Sequence, residues 1–133
     1  MTDLDRVIVE IQKARRYSLD LIESIDDADY FRVPEPPFSH IGWQVGRLAF
    51  GEYSLVLNRV RGSKPEDEQI ITSKYFKLFG KGTTPKADAS LYPTPAELRE
   101  TLHRVHEACM AELPTFASLD LSAPCGETHK VMK

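Results

Sequence analysis

Near the start of the chain, apolar side chains recur at helical spacing. Leu4, Val7, Ile8, Ile11, Ile22 and Ile25 share one face, with the small Ser18 among them. That period predicts an amphipathic helix over 3–25, opened by Thr2 or Asp3 as N-cap. The stretch "RVPEPPF" at 32–38 then breaks any helix, because each proline lacks an N–H and restricts the residue before it. A second helical run extends over 39–61 and stops at Gly62. The connection over 63–93 is too long for a plain turn, and a short helix is expected within it around 69–78. The best start signal opens the third long helix, over 94–113. Thr94 serves as N-cap, Pro95 sits in the first turn, and Glu97 closes a capping box. Leu98, Leu102, Val105 and Cys109 form its apolar stripe, and Pro114 stops it. The tail over 114–133 carries no complete helical pattern, although a further helix could begin near Thr128. No strand pattern and no internal repeat emerges. The expected fold is all-α, an antiparallel up-down bundle in one domain over 1–133, with its fourth helix absent or incomplete.

Composition narrows the function classes. The 133 residues are 41% hydrophobic and 28% charged, ordinary values for a globular domain. A net charge of −3 gives no basic footprint for nucleic acid. No apolar run approaches the roughly 20 residues of a membrane span, and the acidic start "MTDLDRVIVE" is unlike a signal peptide. Two cysteines, Cys109 and Cys125, make no disulfide framework, so a cytoplasmic setting is expected. The stretch "GKGTT" at 80–84 fails as a phosphate loop, since Gly82 follows Lys81 where Ser or Thr is needed.

Several side chains invite chemistry. The run "SHIGWQVGRLAFGEY" at 39–53 holds three glycines, each costing a helix about 1 kcal/mol against alanine. On a helical wheel Gln44, Arg47, Gly51, Ser54 and Asn58 fall on one polar stripe. Ile41, Val45, Leu48, Leu55 and Val56 lie elsewhere, with Trp43, Phe50 and Leu57 widening the apolar arc. The stripe is either a solvated face or the lining of a polar cleft. Arg15 falls in the apolar stripe of helix one and Glu52 likewise on helix two. Facing charges of opposite sign should pair, so an Arg15–Glu52 hydrogen bond is expected. His103, His106 and Cys109 recur every three residues, a spacing open to metal ligands or to a nucleophile and base. The simpler reading makes Cys109 a small core residue with both histidines on the helix flank. His40 is expected at the surface or capping its helix, and His129 in the tail supports no role.

Taken together, "SHIGWQVGRLAFGEY", "YFKLFGKGTTP" and "YPTPAELRETLHRVHE" resemble the DinB-like (DinB/YfiT) superfamily of four-helix bundles over most of the chain. The S-x-I-G-W-x-x-G-x-L-A-x-x-E pattern at 39–52 is the most specific part. The resemblance implies a domain that often binds one divalent metal through three histidines. Some relatives transfer low-molecular-weight thiols to electrophiles, and others form modules of larger thiol-histidine biosynthetic enzymes. One implied ligand position is occupied here by Arg47, and the other two belong to helix four. A guanidinium offers only donors, so Arg47 cannot bind a metal, but it can hold an anion or a carboxylate. The resemblance thus favours a cleft lined by Gln44, Arg47, Gly51 and Ser54, with no metal cofactor. The glycines would let a neighbouring helix or a ligand approach closely. The expected role is binding of a small anionic or thiol ligand, or of a protein. The alternative is a metal-dependent thiol S-transferase or hydrolase-like enzyme, completed by a longer chain or a partner. Without a fourth helix, the stripes of helices one and three leave an apolar groove, so a homodimer is expected.

Overall fold

The computed structural model describes residues 2–33, 39–86 and 88–118. The described residues are helical or irregular, with no strand, and the chain is an all-α bundle. Helix α1 spans Asp3–Glu23. Thr2 caps it: the Thr2 hydroxyl accepts from the Asp5 N–H at 3.1 Å, and the Asp5 carboxylate accepts from the Thr2 N–H at 3.0 Å. The helix stops short of Ile25, and a single 3-10 turn follows at Asp27–Asp29, capped by Asp26. Residues 34–38, most of the proline loop, lie outside the described residues.

Helix α2 spans Ile41–Glu52 and continues without a break through a π-helical segment, Tyr53–Asn58, to a last turn at Arg59–Arg61. Gly62 ends the rod with a φ of +84°, a conformation that glycine adopts at no steric cost. The cap is His40. Its Nδ1 accepts from the Trp43 N–H at 2.9 Å, while its Nε2 donates to the Lys86 carbonyl at 2.7 Å. His40 is 1% exposed, so the capping role holds and the surface position does not. Burial lowers its pKa, opposed by its backbone hydrogen bonds.

The crossover forms a 3-10 turn at Pro65–Gln69 and a short helix, α3, at Lys74–Phe79. Helix α3 lies against α2, and close approaches explain two of the three glycines, one of them at this contact. A Cβ on Gly46 would land on the Phe79 ring, and one on Gly42 on the Phe31 ring. Gly51 meets nothing within 4 Å, so no close approach accounts for it.

Helix α4 spans Pro95–Glu112, with the Thr94 hydroxyl accepting from the Glu97 N–H at 3.2 Å. Leu98, Leu102, Val105 and Cys109 are all buried. Pro114 does not end helical structure, because Leu113–Ser118 continues as a 3-10 helix. Leu113 and Phe116, three apart, are stacked by that winding and are both buried. The segment touches α1. The rest of the tail, with the expected helix near Thr128, lies outside the described residues.

The core sits between α2, α3 and α4, where Tyr30, Val45, Ala49, Leu57, Phe79, Leu98 and Val105 are essentially inaccessible. Helix α1 contributes little to it. Only Leu4 and Ile22 are buried, Ile8 and Ile11 are partly so, and Val7 stays 47% exposed. On α2 the predicted apolar arc is also incomplete, since Leu48 and Leu55 face outward.

Candidate functional site

The polar stripe of α2 lines neither of the two cavities described among residues 2–33, 39–86 and 88–118. Gln44 is exposed and donates to the Ser39 hydroxyl at 2.7 Å. Arg47 donates to the Phe79 carbonyl at 2.7 Å, its guanidinium 5.5 Å from the centre of the Trp43 ring. The cation thereby meets the carbonyl end of α3, where helix dipoles favour positive charge. Gly51 faces open space and Ser54 is half-buried. The contact is tertiary: α3 packs against α2, and its last carbonyl takes the Arg47 guanidinium.

The expected Arg15–Glu52 bond does not form either. Arg15 donates from Nη1 to the Leu102 carbonyl at 2.9 Å and from Nη2 to His103 Nδ1 at 3.2 Å. Glu52 pairs with His106, whose Nδ1 lies 2.9 Å from its Oε1. Both charges left their apolar stripes for α4, where a carbonyl and two imidazoles offer nearer partners. Arg15 still senses Glu52: burial lowers its pKa, and Glu52 and Glu107 raise it. The sequence picked out all four residues but joined them wrongly.

Arg15, His103 and His106 border a cleft of about 340 Å³ between α1 and α4, and Glu52 stands behind His106. From α1 come Gln12, Arg15, Arg16, Asp20 and Glu23, which spacings of three and four place on one face. His103 and His106 stand opposite. Arg16, Asp20 and Glu23 are exposed and form no ion pair among the described residues. Neither this cleft nor a smaller one of about 280 Å³ beside Tyr75 and Thr101 is lined by Gln44, Arg47, Gly51 or Ser54.

Partners fix the tautomers of three histidines. A guanidinium can only donate, so Nδ1 of His103 accepts from Arg15, leaving Nε2–H to face Glu107 at 3.0 Å. His40 is likewise an Nε2–H tautomer. His106 is the reverse: Nδ1–H donates to the Glu52 carboxylate. Its Nε2 has no hydrogen-bond partner among the described residues. The two side chains are 14% and 16% exposed, enclosed enough to be held in place and open enough to be reached.

Cys109 is no nucleophile in this setting. Burial, with Glu52 and Glu112 nearby, pushes its thiol pKa far up, and the sulfur donates weakly to the Glu52 carbonyl at 3.9 Å. Glu52 is also the last α-helical residue before the π segment. Such segments are rare and recur at functional sites, and no local pattern announces this one. A second feature hidden from sequence is the Arg61 cluster. Arg61 bonds both oxygens of Asp67 and both of Glu112, and Asp67 also accepts from the Tyr53 hydroxyl at 2.9 Å. This clasp ties the end of the α2 rod to the crossover and to α4.

The family model of the DinB superfamily matches residues 10–132. No curated protein and no solved structure matches the chain.

Proposed function

The chain belongs to the DinB superfamily, and from that premise we propose that it binds a small polar molecule carrying an anionic group in the cleft between α1 and α4. The observation that carries this reading is the set of uncompensated charges around an open cavity. Among the described residues Arg16 has no ion-pair partner and can meet an anion, Asp20 and Glu23 can take donors, and His106 Nε2 has no hydrogen-bond partner. A volume of about 340 Å³ suits a small metabolite rather than a peptide.

The metal that the resemblance implies does not fit the residue at its helix-two position. Arg47 brings only donors there, already directed at the Phe79 carbonyl and stacked on Trp43. The positions implied on helix four lie outside the described residues. Among the described residues no group of three or more His, Cys, Asp and Glu is arranged for a metal ion. A metal-dependent thiol transfer therefore has no support at Arg47, and binding is the better reading.

Ligand-observed NMR with small carboxylates tests the proposal. Binding that weakens at least tenfold in Arg16→Ala and is unchanged in Arg47→Ala is the expected result. Equal loss in both variants, or no binding at all, would refute it.

A cytoplasmic homodimer belongs to the same proposal. Exposed Leu48 and Leu55 on α2, with Val7 and Leu21 on α1, support it. Sedimentation should show a concentration-dependent dimer, and a monomer at all concentrations would contradict it.

A further inference from the structure

We propose that His106, on the wall of the α1–α4 cleft, and Glu52 behind it form a proton-accepting pair, His106 taking the proton and Glu52 positioning the ring. The inference rests on the cleft being the ligand site, and it adds a reaction step to what is otherwise binding. In that step an X–H bond of the bound molecule breaks, its electron pair stays on X, and the proton forms a new bond to His106 Nε2. The resulting imidazolium keeps its Nδ1–H on the Glu52 carboxylate, which offsets the new charge.

Three observations carry it. The first is the tautomer. Of the three described histidines that line this cleft or cap α2, only His106 has a ring nitrogen, Nε2, with no hydrogen-bond partner among the described residues. His40 and His103 have both ring nitrogens engaged. A plain crosslink between α2 and α4 needs only one side of the ring, so the free nitrogen beside an open cavity is what a crosslink leaves unexplained. The second is the enclosure. Nδ1 and Oε1 lie 2.9 Å apart with both side chains largely shielded, so water competes little for the bond. The third is the backbone. Glu52 stands where α2 changes to π winding, and the Cys109 sulfur sits against its carbonyl.

The groups facing His106 define its electrostatic setting. Arg15, Arg16, Asp20 and Glu23 face it from α1, Glu52 from α2, and His103 and Cys109 from its own helix. The two cations and three carboxylates nearly cancel, and Cys109 stays a neutral thiol. A proton arriving at Nε2 is therefore met by Glu52 rather than by net positive charge. General bases placed within hydrogen-bond reach of the proton they remove contribute rate factors of about 10² to 10⁴.

Two measurements on the 133-residue chain test this. Long-range proton–nitrogen NMR should show His106 with Nδ1 protonated, and His40 and His103 with Nε2 protonated. His106 found as the Nε2–H tautomer would overturn the proposal. The second uses 5-nitrobenzisoxazole, a small probe that opens to a coloured phenolate when a base removes its C3 proton. The C–H and N–O bonds break, a nitrile forms, and no co-reactant is needed. The chain should exceed an equal concentration of imidazole at least tenfold. His106→Gln should abolish the excess, Glu52→Gln should reduce it several-fold with a changed pH profile, and Arg47→Ala, outside the cleft, should leave it intact. No excess over imidazole, or an excess that survives His106→Gln, would refute the pair. Carboxylate binding read by NMR is independent of both, so loss of the pair and loss of the cleft are separable results.

Discussion

On the side of α4 that meets α2 and α3, Leu98, Val105 and Cys109 are completely enclosed, and the rings of Tyr30, Phe79 and Tyr92 fill the space around them. On the side that meets α1, the same helix presents His103 and His106 to a cleft whose far wall is Arg15, Arg16, Asp20 and Glu23. One face trades every side chain for packing. The other keeps charges unpaired beside open space. Burial of apolar area is worth about 25 cal/mol per Å², so stability is expected to reside on the first face. Unpaired polar groups suit recognition, so function is expected on the second.

The largest expected effect breaks the packed face. Phe79→Ala removes a ring against which Gly46 is fitted and should cost about 3–5 kcal/mol. Arg16→Ala, on the open face, should stay within about 0.5 kcal/mol. Urea unfolding of both variants reads the contrast directly, and equal losses would erase the distinction.

The Arg61 clasp comes next. Arg61→Ala strands Asp67, which is 4% exposed, and should cost about 3 kcal/mol or more. Burial alone would raise the Asp67 pKa, but hydrogen bonds from Arg61, the Lys64 N–H and Tyr53 outweigh it and hold the carboxyl below its ordinary value. A depressed carboxyl contributes stability that is complete above its unfolded pKa of about 3.9. That contribution is lost as pH falls further, through the folded value. Asp67→Asn should flatten the acid limb of a stability–pH curve below about pH 4.

His40 gives a smaller effect in a different window. Burial lowers its pKa, so its contribution is complete above the unfolded value of about 6.5 and declines as pH falls below it. His40→Asn keeps a capping side chain but loses the bond to Lys86, and should cost about 1–2 kcal/mol at pH 7. The variant should also lose much of the stability difference between pH 7 and pH 5. The smallest effect is Arg47→Ala, which frees one carbonyl at the end of α3 and should cost about 1 kcal/mol. Thermal melts resolve a change of that size.

Much of the packed face was legible in the sequence, because its signals are local. Thr2 and Thr94 cap their helices, Gly62 ends the α2 rod, and the Leu98–Cys109 stripe has a single clear period. The open face was only half legible. Arg15, Glu52, His103 and His106 stood out as polar groups on or beside apolar stripes. Their pairing depended on which helix came between them, across separations of 54 to 88 residues. The partner of Arg47 was hidden for a related cause: nothing local says that α3 folds back so that its last carbonyl meets the guanidinium. The π segment and the Arg61–Asp67–Glu112 clasp leave no pattern that a helical period would reveal.

The most direct test of the division of labour is chemical-shift mapping of the ¹⁵N-labelled chain titrated with a small carboxylate. The account predicts that perturbations gather on Gln12, Arg16, Asp20, His103 and His106, while Gln44, Arg47, Gly51 and Ser54 stay still. Perturbations gathered on the α2 stripe, with the α1–α4 cleft silent, would contradict it.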